Sequence, residues 1–236
     1  MQGVVEDISG DLTQPEESAE ARPVEDALFP LIAFAIGAYL AWLWRSDLLA
    51  RRQGEEAKGA LPGTTLCKPV ALYIASAGAL VLLGLQIVGE YGLGIVAEQT
   101  DIAWLFLLQM MAAAVVEEVI FRGYLVVQNK GKAVLWGGIV TVSLVFAVGH
   151  PHLWTLDFPD GVSAWEFWKG DFELHFDTKA IYSTSWLFVM SLWFYFVRFA
   201  TFNLERSLLP CMVAHLIYNL GVFVTKLLQG HVVGLY

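Results

Sequence analysis

Residues 102–127 read IAWLFLLQMMAAAVVEEVIFRGYLVV, a long apolar run that contains two adjacent acids and, four residues after the second acid, an arginine. A helix that crosses a membrane needs about 20 mostly apolar residues, so this run predicts a transmembrane segment. Each charged side chain near the centre of such a helix costs on the order of 2.5–3.5 kcal/mol on insertion-based scales. We therefore expect Glu117, Glu118 and Arg122 to face the protein interior and to act together there.

The rest of the chain has the composition of a multi-span membrane protein. Hydrophobic residues make up 57% of the 236 residues and charged residues 16%, with a mean hydropathy of +0.58. A typical soluble domain has about 25% charged residues. The apolar runs predict an all-α, polytopic membrane bundle of about six transmembrane helices, at residues 27–44, 69–89, 102–127, 133–149, 181–202 and 208–228.

The acidic net charge is concentrated at one end of the chain. Residues 1–26 contain eight acids and one base, which together supply −7 of the formal net charge of −9. Such a segment buries too little apolar surface to fold, so we predict a disordered acidic N-terminal tail. No basic stripe indicates a nucleic-acid partner, whereas the apolar runs make membrane lipids the expected surroundings.

The charges in the loops predict the orientation of the bundle. Basic residues gather in loop 45–68, in the link 129–132 and at Arg206, before the last run. Because cytoplasmic loops carry an excess of Lys and Arg, these three segments are expected on the cytoplasmic side. We predict a multi-pass protein of the cell membrane with both termini on the non-cytoplasmic side. The segment 151–179 is too polar to span and predicts an interfacial loop or short amphipathic helix, with a lid over the site as the alternative.

The two acids in the 102–127 run have different expected partners. Glu118 and Arg122 are four residues apart on one helix face, in the favoured order for an ion pair. Glu117 is turned by about 100° and is left free of that pair. A free carboxylate in an apolar site is suited to act as a general base. The alternative is a structural cluster that ties helices together.

Two later runs contain a histidine in a distinctive position. His150 precedes Pro151, which places it at or just past a helix end, and Phe146 lies one turn earlier, where it can pack on the imidazole. His215 and Asn219 are four residues apart, so ring and amide share a face and both can donate to one oxyanion. The alternatives are an interfacial histidine at 150 and ordinary interhelical polar contacts at 219.

Depth along the helices sets a condition on this site. At about 1.5 Å per residue, Glu117 lies roughly 10–15 Å from the cytoplasmic end of its run and His215 about 10 Å, whereas His150 lies about 25 Å away. One arrangement that reduces the mismatch has residues 130–137 along the membrane surface, with the span starting after a break at Gly137 and Gly138.

Several other protease classes are disfavoured by missing residues. The chain has no His-Glu-x-x-His, the signature of the zincins, and no aspartate in the middle of a predicted span, as an intramembrane aspartyl protease requires. Cys211 lies four residues before His215, which leaves a cysteine protease as a weak alternative to a simple packing thiol.

Three motifs, EEVIFRG at 117–123, FAVGH at 146–150 and HLIYN at 215–219, occur in this order in successive apolar runs. Together they resemble the CAAX protease and bacteriocin-processing (CPBP/Abi) family of intramembrane proteases over about residues 102–229. The resemblance implies a glutamate-dependent intramembrane endopeptidase that hydrolyses peptide bonds of membrane-associated substrates.

The resemblance also implies a role for each matching residue. It places catalytic residues at Glu117, His150, His215 and Asn219, and supporting residues at Glu118, Arg122 and Phe146. Glu117 and His150 would activate the water, while His215 and Asn219 would stabilise the oxyanion. The implied domain division is a tail at 1–26 and a membrane domain at 27–236, with two accessory spans at 27–101 and a CAAX-protease-like core at 102–229.

Three alternatives to this activity stay open. No cofactor is expected, but some family members are regarded as metalloproteases, and a zinc-dependent version would use Glu117, His150 and His215 as ligands. A non-catalytic membrane immunity or partner-regulating protein could use the same cluster for packing. A transporter or proton relay would also bury Glu and His, although the sequence has no inverted repeat.

Overall fold

The structure, a computed structural model, describes residues 22–55, 59–159 and 164–235, without the side chains of 22–27, 164, 165 and 167. The helices are α1 Arg22–Arg52, α2 Pro69–Leu93, α3 Phe106–Glu117, α4 Lys132–Gly149, α5 Thr178–Phe199 and α6 Leu209–Gln229. Residues 1–21 of the predicted tail lie outside the described residues. The rest of the predicted tail, 22–26, belongs to α1, which begins at Arg22. In the described ranges, five of these six helices are long and apolar enough to cross a membrane, and the shorter α3 is the exception. The predicted all-α polytopic bundle is confirmed.

The third predicted span is not one continuous α-helix. α3 has 12 residues, roughly 18 Å at the α-helical rise, and a π-helix, Glu118–Tyr124, follows it directly. Upstream, a 3₁₀ turn covers Val96–Glu98, and residues 102–105 pair with the C-terminal segment: Ile102 forms a parallel bridge with Val232. The prediction of a single α-helix over 102–127 is therefore wrong: hydrogen bonds to the C-terminal segment extend the chain before α3, and a π-helix follows it.

Local residues explain where the other helices begin. Pro69 opens α2 and Pro210 lies in the first turn of α6, where the missing N–H of proline costs no helical hydrogen bond. Asp177 precedes α5, and its carboxylate accepts from the Ala180 N–H at 2.8 Å. α4 runs unbroken from Lys132, so the predicted surface segment at 130–137 and the break at Gly137 are also wrong.

Small residues bring the helices close together. α2 packs on α5 and α6 through the buried stripe Ala71, Ala75 and Ala79. α1 packs on α3 at Gly37, where an added Cβ would lie 2.6 Å from the Ala112 Cβ. α4 packs on α5, and α3 packs on α6. These contacts place α3, α4, α5 and α6 around the π-helix.

The segment between α4 and α5 contains a small β-hairpin, with no membrane-spanning helix. Its strands are β1 Trp154–Asp157 and β2 Asp171–Leu174, paired antiparallel with Trp154 opposite Leu174, and a 3₁₀ helix, Ala164–Lys169, lies between them. The indole N–H of Trp154 donates to the Val148 carbonyl at 2.8 Å, which ties the hairpin to the end of α4. The prediction that 151–179 cannot span is consistent with this, but a loop or amphipathic helix was the wrong expectation.

Candidate active site

A buried carboxylate lies where α3 turns into the π-helix. Glu118 Oε1 is 3.3 Å from Nη1 of Arg122 and 2.9 Å from Nδ1 of His215. The side chains of Glu118 and Arg122 are 0% exposed and that of His215 is 6% exposed. The ion pair that the i,i+4 spacing predicts is thus present, and α6 adds an imidazole to it. Removal of Glu118 or Arg122 alone would leave the other charge without its main partner in the interior.

Arg122 connects this cluster to two further helices. Its Nη2 donates to the Ser191 hydroxyl on α5 at 2.7 Å, and Ser191 donates to the Ser143 hydroxyl on α4 at 3.0 Å. The guanidinium carbon also lies 4.5 Å from the centre of the Phe146 ring and 5.2 Å from that of Phe194, within the range of cation–π attraction. Arg122 is therefore held on several sides, and it holds Glu118 in place.

The orientation of His215 follows from its partners. Its ring stacks on Phe194, with centroids 4.7 Å apart and an angle of 22° between the planes. Nδ1 lies 2.9 Å from Glu118 Oε1, and because a carboxylate oxygen accepts, the ring nitrogen is the donor in this contact. The other ring nitrogen, Nε2, then faces Glu117, whose Oε2 is 3.9 Å away.

The Oε2 atom of Glu117 forms no direct hydrogen bond with the described residues. Its side chain is 23% exposed, yet Oε2 itself is buried and has no hydrogen-bond partner in the part of the chain that the structure describes. Oε2 of Glu118 is buried and unpartnered in the same way. The end of α3 thus brings two carboxylates together with the His215 imidazole, and each carboxylate has one oxygen without a hydrogen bond to the described residues.

His150 lies one aromatic ring away from the ion pair. Its Nδ1 is 2.8 Å from the Phe146 carbonyl, which can only accept, so Nδ1 donates and Nε2 is left free. The His150 and Phe146 ring centroids are 4.8 Å apart, as the sequence predicts, and Phe146 in turn covers the Arg122 guanidinium. Among the described residues, no hydrogen bond or ion pair joins His150 to Glu117. Their shared role in activating water stays a prediction.

His152, two residues further along, lies outside the membrane-spanning helices. Burial, together with the neighbouring His150, Lys179 and Lys226, lowers the pKa of its imidazole to about 4. His152 is therefore neutral at physiological pH.

Asn219 lies one turn after His215 but points its amide elsewhere. Nδ2 donates to the Met110 carbonyl on α3 at 2.9 Å, an interhelical contact of the kind that membrane helices use for packing. An amide has a second N–H, so this bond leaves one donor for another acceptor. Its role beside His215 stays a prediction.

The alternative chemistries have less geometric support. Over the described ranges, no group of three His, Cys, Asp or Glu side chains could hold a metal ion, so Glu117, His150 and His215 are not assembled into a zinc site. Cys211 is fully buried, and its thiol contacts the Phe194 carbonyl at 3.4 Å. That contact is typical of a packing thiol.

The sequence analysis did not single out the two serines that join the cluster. Ser143 lies three residues before Phe146 and seven before His150, so all three share one face of α4. Ser191 lies three residues before Phe194 on α5 in the same way. Both hydroxyls lie on the same helix face as a residue of the site, and this position could have indicated that they take part in it. Serine is common in membrane helices, so the indication is weak.

Comparison with known proteins gives one family match. Residues 99–221, just over half of the chain, match the model of the family described as Type II CAAX prenyl endopeptidase Rce1-like. The matched stretch contains all three motifs and extends from the segment before α3 into α6. No curated protein and no solved structure matches the chain.

Proposed function

Because the chain belongs to the Type II CAAX prenyl endopeptidase Rce1-like family, we propose that it is an active intramembrane endopeptidase that hydrolyses peptide bonds of membrane-associated substrates. The membership agrees with the resemblance that the three motifs indicate. One observation carries the proposal: an unpartnered oxygen of Glu117 faces Nε2 of an imidazole whose other nitrogen is bound by a buried, arginine-paired carboxylate.

In the proposed mechanism Glu117 is the general base. It takes a proton from a water molecule as the water oxygen bonds to the peptide carbonyl carbon, and a tetrahedral oxyanion forms. Glu117 then passes that proton to the nitrogen of the leaving amine as the C–N bond breaks. The products are a carboxylic acid and an amine, and no covalent intermediate forms with the enzyme. The free Nε2 of His150 is assigned to orienting the water.

His215 is the proposed oxyanion donor. With Nδ1–H donated to Glu118, a protonated imidazole presents Nε2–H to the reaction side. Before the reaction this positive charge faces the Glu117 carboxylate, and afterwards it faces the oxyanion, while Glu117 has become neutral. The negative charge thus moves within a fixed electrostatic environment, which is the basis of preorganised stabilisation. The second N–H of Asn219 is the proposed additional donor.

The proposal requires no cofactor. Every proton transfer is assigned to Glu117, and the charge that develops is assigned to His215. A zinc-dependent version has weaker support because the candidate ligands are not grouped.

We also propose the cell membrane as the location, with both termini on the non-cytoplasmic side. Loop contacts support this arrangement, because segments expected on the same side of the membrane meet. Arg206 Nη1 donates to Gln128 Oε1 at 2.8 Å on the predicted cytoplasmic side. On the other side, the C-terminal residues pair with the segment before α3, where the Ile102 N–H donates to the His231 carbonyl at 2.9 Å.

Cleavage of a peptide library by the purified protein, read by mass spectrometry, tests the activity. Glu117→Gln preserves size and polarity but removes the base, so we expect cleavage to fall by a factor of at least about 100. Glu98→Gln, at an exposed acid after α2, is the matched control and should cleave like the wild type. Full activity in a folded Glu117→Gln variant would refute the proposal.

A second candidate, a non-catalytic membrane partner or immunity protein, is favoured by one observation. The chain of contacts from Glu118 through Arg122 and Ser191 to α4 is what a purely structural cluster would show. In that case no library peptide is cleaved by the wild type, and Glu117→Gln retains its function in cells.

A further inference from the structure

A cavity lies between α1 and the faces of α3 and α6, and none of the residues assigned to catalysis lines it. Its volume is about 670 Å³, within the range of roughly 300–1,000 Å³ that small-molecule sites occupy. The α1 residues along it fall at spacings of three and four and so form one face: Phe34, Ala38, Ala41, Arg45, Leu48 and Arg52. The cavity is therefore an elongated groove that follows α1, about 27 Å from the first of these residues to the last.

The shape of the groove follows from one close helix crossing. α1 and α3 touch at Gly37 and Ala112, where no larger side chain fits. The opposite wall is apolar and includes Ala114, Met212 and Val213. At the edge of the groove, Ala38 and Met111 are exposed. The groove is thus apolar along most of its length and open sideways, toward the region that lipid occupies.

One end of the groove carries positive charge. Arg45 and Arg52 both line it, both are exposed, and neither forms a hydrogen bond or ion pair with any residue that the structure describes. They are seven residues apart on one face, roughly 10 Å along the helix axis. The nearby acid Asp47 is turned toward the following loop, where its Oδ2 accepts from the Leu61 N–H at 2.8 Å. The two guanidinium groups are therefore left for an anion at the mouth of an apolar groove.

We propose that this groove binds one anionic phospholipid. An acyl chain lies along α1 against the apolar wall, and the phosphate and anionic headgroup lie at Arg45 and Arg52. Guanidinium groups match phosphate oxygens with paired hydrogen bonds, and basic pockets between membrane helices are sites for anionic headgroups. A zwitterionic lipid offers the same chain and phosphate, but its own cation offsets the attraction. This site goes beyond the proposed peptidase activity and can be measured without any substrate.

The test is native mass spectrometry of the detergent-purified full chain with phosphatidylglycerol or phosphatidylcholine of identical acyl chains. We expect selective retention of phosphatidylglycerol. The double variant Arg45→Gln with Arg52→Gln should reduce that retention about 30-fold, which corresponds to about 1 kcal/mol per arginine. Arg51→Gln is the control for each arginine, because it removes one positive charge at a neighbouring exposed position that does not line the groove, and it should leave the retention unchanged.

A second variant tests the apolar part independently. Ala41→Phe narrows the groove and leaves both arginines in place, so it should also lose phosphatidylglycerol. Thermal unfolding shows whether the double variant and Ala41→Phe are folded. If one of them is not, lipid retention by the other tests whether the groove binds phosphatidylglycerol. Equal retention of the two lipids, or equal losses in the double variant and in Arg51→Gln, would overturn the proposal. So would a groove that takes a prenylated peptide and no phospholipid.

Discussion

Among the residues that the structure describes, carboxylates are buried at two places, and their surroundings differ. Glu118 lies between a guanidinium and an imidazole, beside a second acid with an unpartnered oxygen. Glu90, near the end of α2, is also buried, but its Oε1 accepts a hydrogen bond from the Gln86 amide at 2.8 Å. At Glu118 the hydrogen-bond partner is the His215 imidazole, which can gain or lose a proton. At Glu90 the partner is the Gln86 amide, which cannot.

The groups around Glu90 form hydrogen bonds that connect helices to one another. The Gln86 side chain accepts from the Tyr218 hydroxyl, and the Gln86 carbonyl accepts from the Tyr182 hydroxyl at 2.8 Å. These bonds join α2 to α5 and α6 through neutral groups. Burial of a carboxylate is therefore not by itself a sign of function, and the imidazole at Glu117 and Glu118 is what distinguishes the first site.

Replacing Arg122 by Met should produce the largest loss of stability. Glu118 would stay buried without its strongest partner, and breaking a buried ion pair in this way costs about 3–5 kcal/mol. At the second acid, Glu90→Gln should change stability by less than about 1 kcal/mol, because a glutamine there can still accept from Gln86. Thermal unfolding of both variants in one detergent measures the difference. Equal destabilisation would mean that the two acids are held alike.

Replacing His215 by Asn should abolish most of the cleavage and keep the fold. The asparagine amide can replace Nδ1–H as a donor to Glu118, but it has no group at the position of Nε2. Loss of one oxyanion donor lowers kcat by a factor of about 100–1,000. Peptide cleavage by the purified variant, compared at equal folded concentration, measures this. Wild-type turnover would remove His215 from the mechanism.

Tyr218→Phe, one turn from His215 on the same helix, should have the opposite profile. It removes the hydroxyl that donates a hydrogen bond to the Gln86 side chain, so the free energy of unfolding should fall by about 1 kcal/mol. Cleavage should stay at the wild-type rate because this hydroxyl belongs to the Glu90 site. A large loss of activity without loss of stability would show that the two sites are coupled.

The smallest effect is expected from His152, in the segment that follows α4. Its folded pKa, about 4, is below the ordinary value of 6.5, with burial as the main cause. Between these values the unfolded chain binds a proton that the folded protein excludes, so stability falls as the pH decreases through that window. His152→Gln should flatten this part of the pH profile. Unfolding midpoints of both proteins across the window check this, and parallel profiles would contradict it.

Helix positions were largely predictable because they depend on short-range features. The predicted runs 69–89 and 133–149 match Pro69–Leu93 and Lys132–Gly149 at the start, and 208–228 matches Leu209–Gln229 within a residue at each end. Apolar length and proline position act locally. α1 continues eight residues beyond the predicted end at 44, because a helix does not have to stop where its apolar part does.

The site was predictable only within each helix. The spacing of Glu118 and Arg122 indicated their ion pair, and that of Phe146 and His150 their ring contact. The bond from His215 to Glu118 joins residues 97 apart in the chain, and helical periodicity says nothing about it. The contact of Phe146 with the Arg122 guanidinium, which places the end of α4 beside the π-helix, also joins residues far apart in the chain, and the closeness of His150 to Glu117 stays a prediction. The division at residues 101 and 102 stays a prediction.

The hairpin shows a local pattern that the sequence analysis overlooked. Both strands alternate polar and apolar residues, as in Thr155-Leu156-Asp157 and Phe172-Glu173-Leu174, which is the period of a strand. The aromatic and acidic composition of the segment drew attention away from this alternation.

The amino-acid sequence by itself determined that this is a helical membrane protein and indicated that Glu118, Arg122 and His215 enter its interior, because hydrocarbon admits long apolar helices and penalises every charge within them. The tertiary structure decided which of these residues meet. It placed His215 against Glu118, turned Asn219 toward α3, and converted the end of the third run into a π-helix. These outcomes depend on how the helices cross and on which hydrogen bonds can be satisfied at once, and neither is encoded in the periodicity of a single helix.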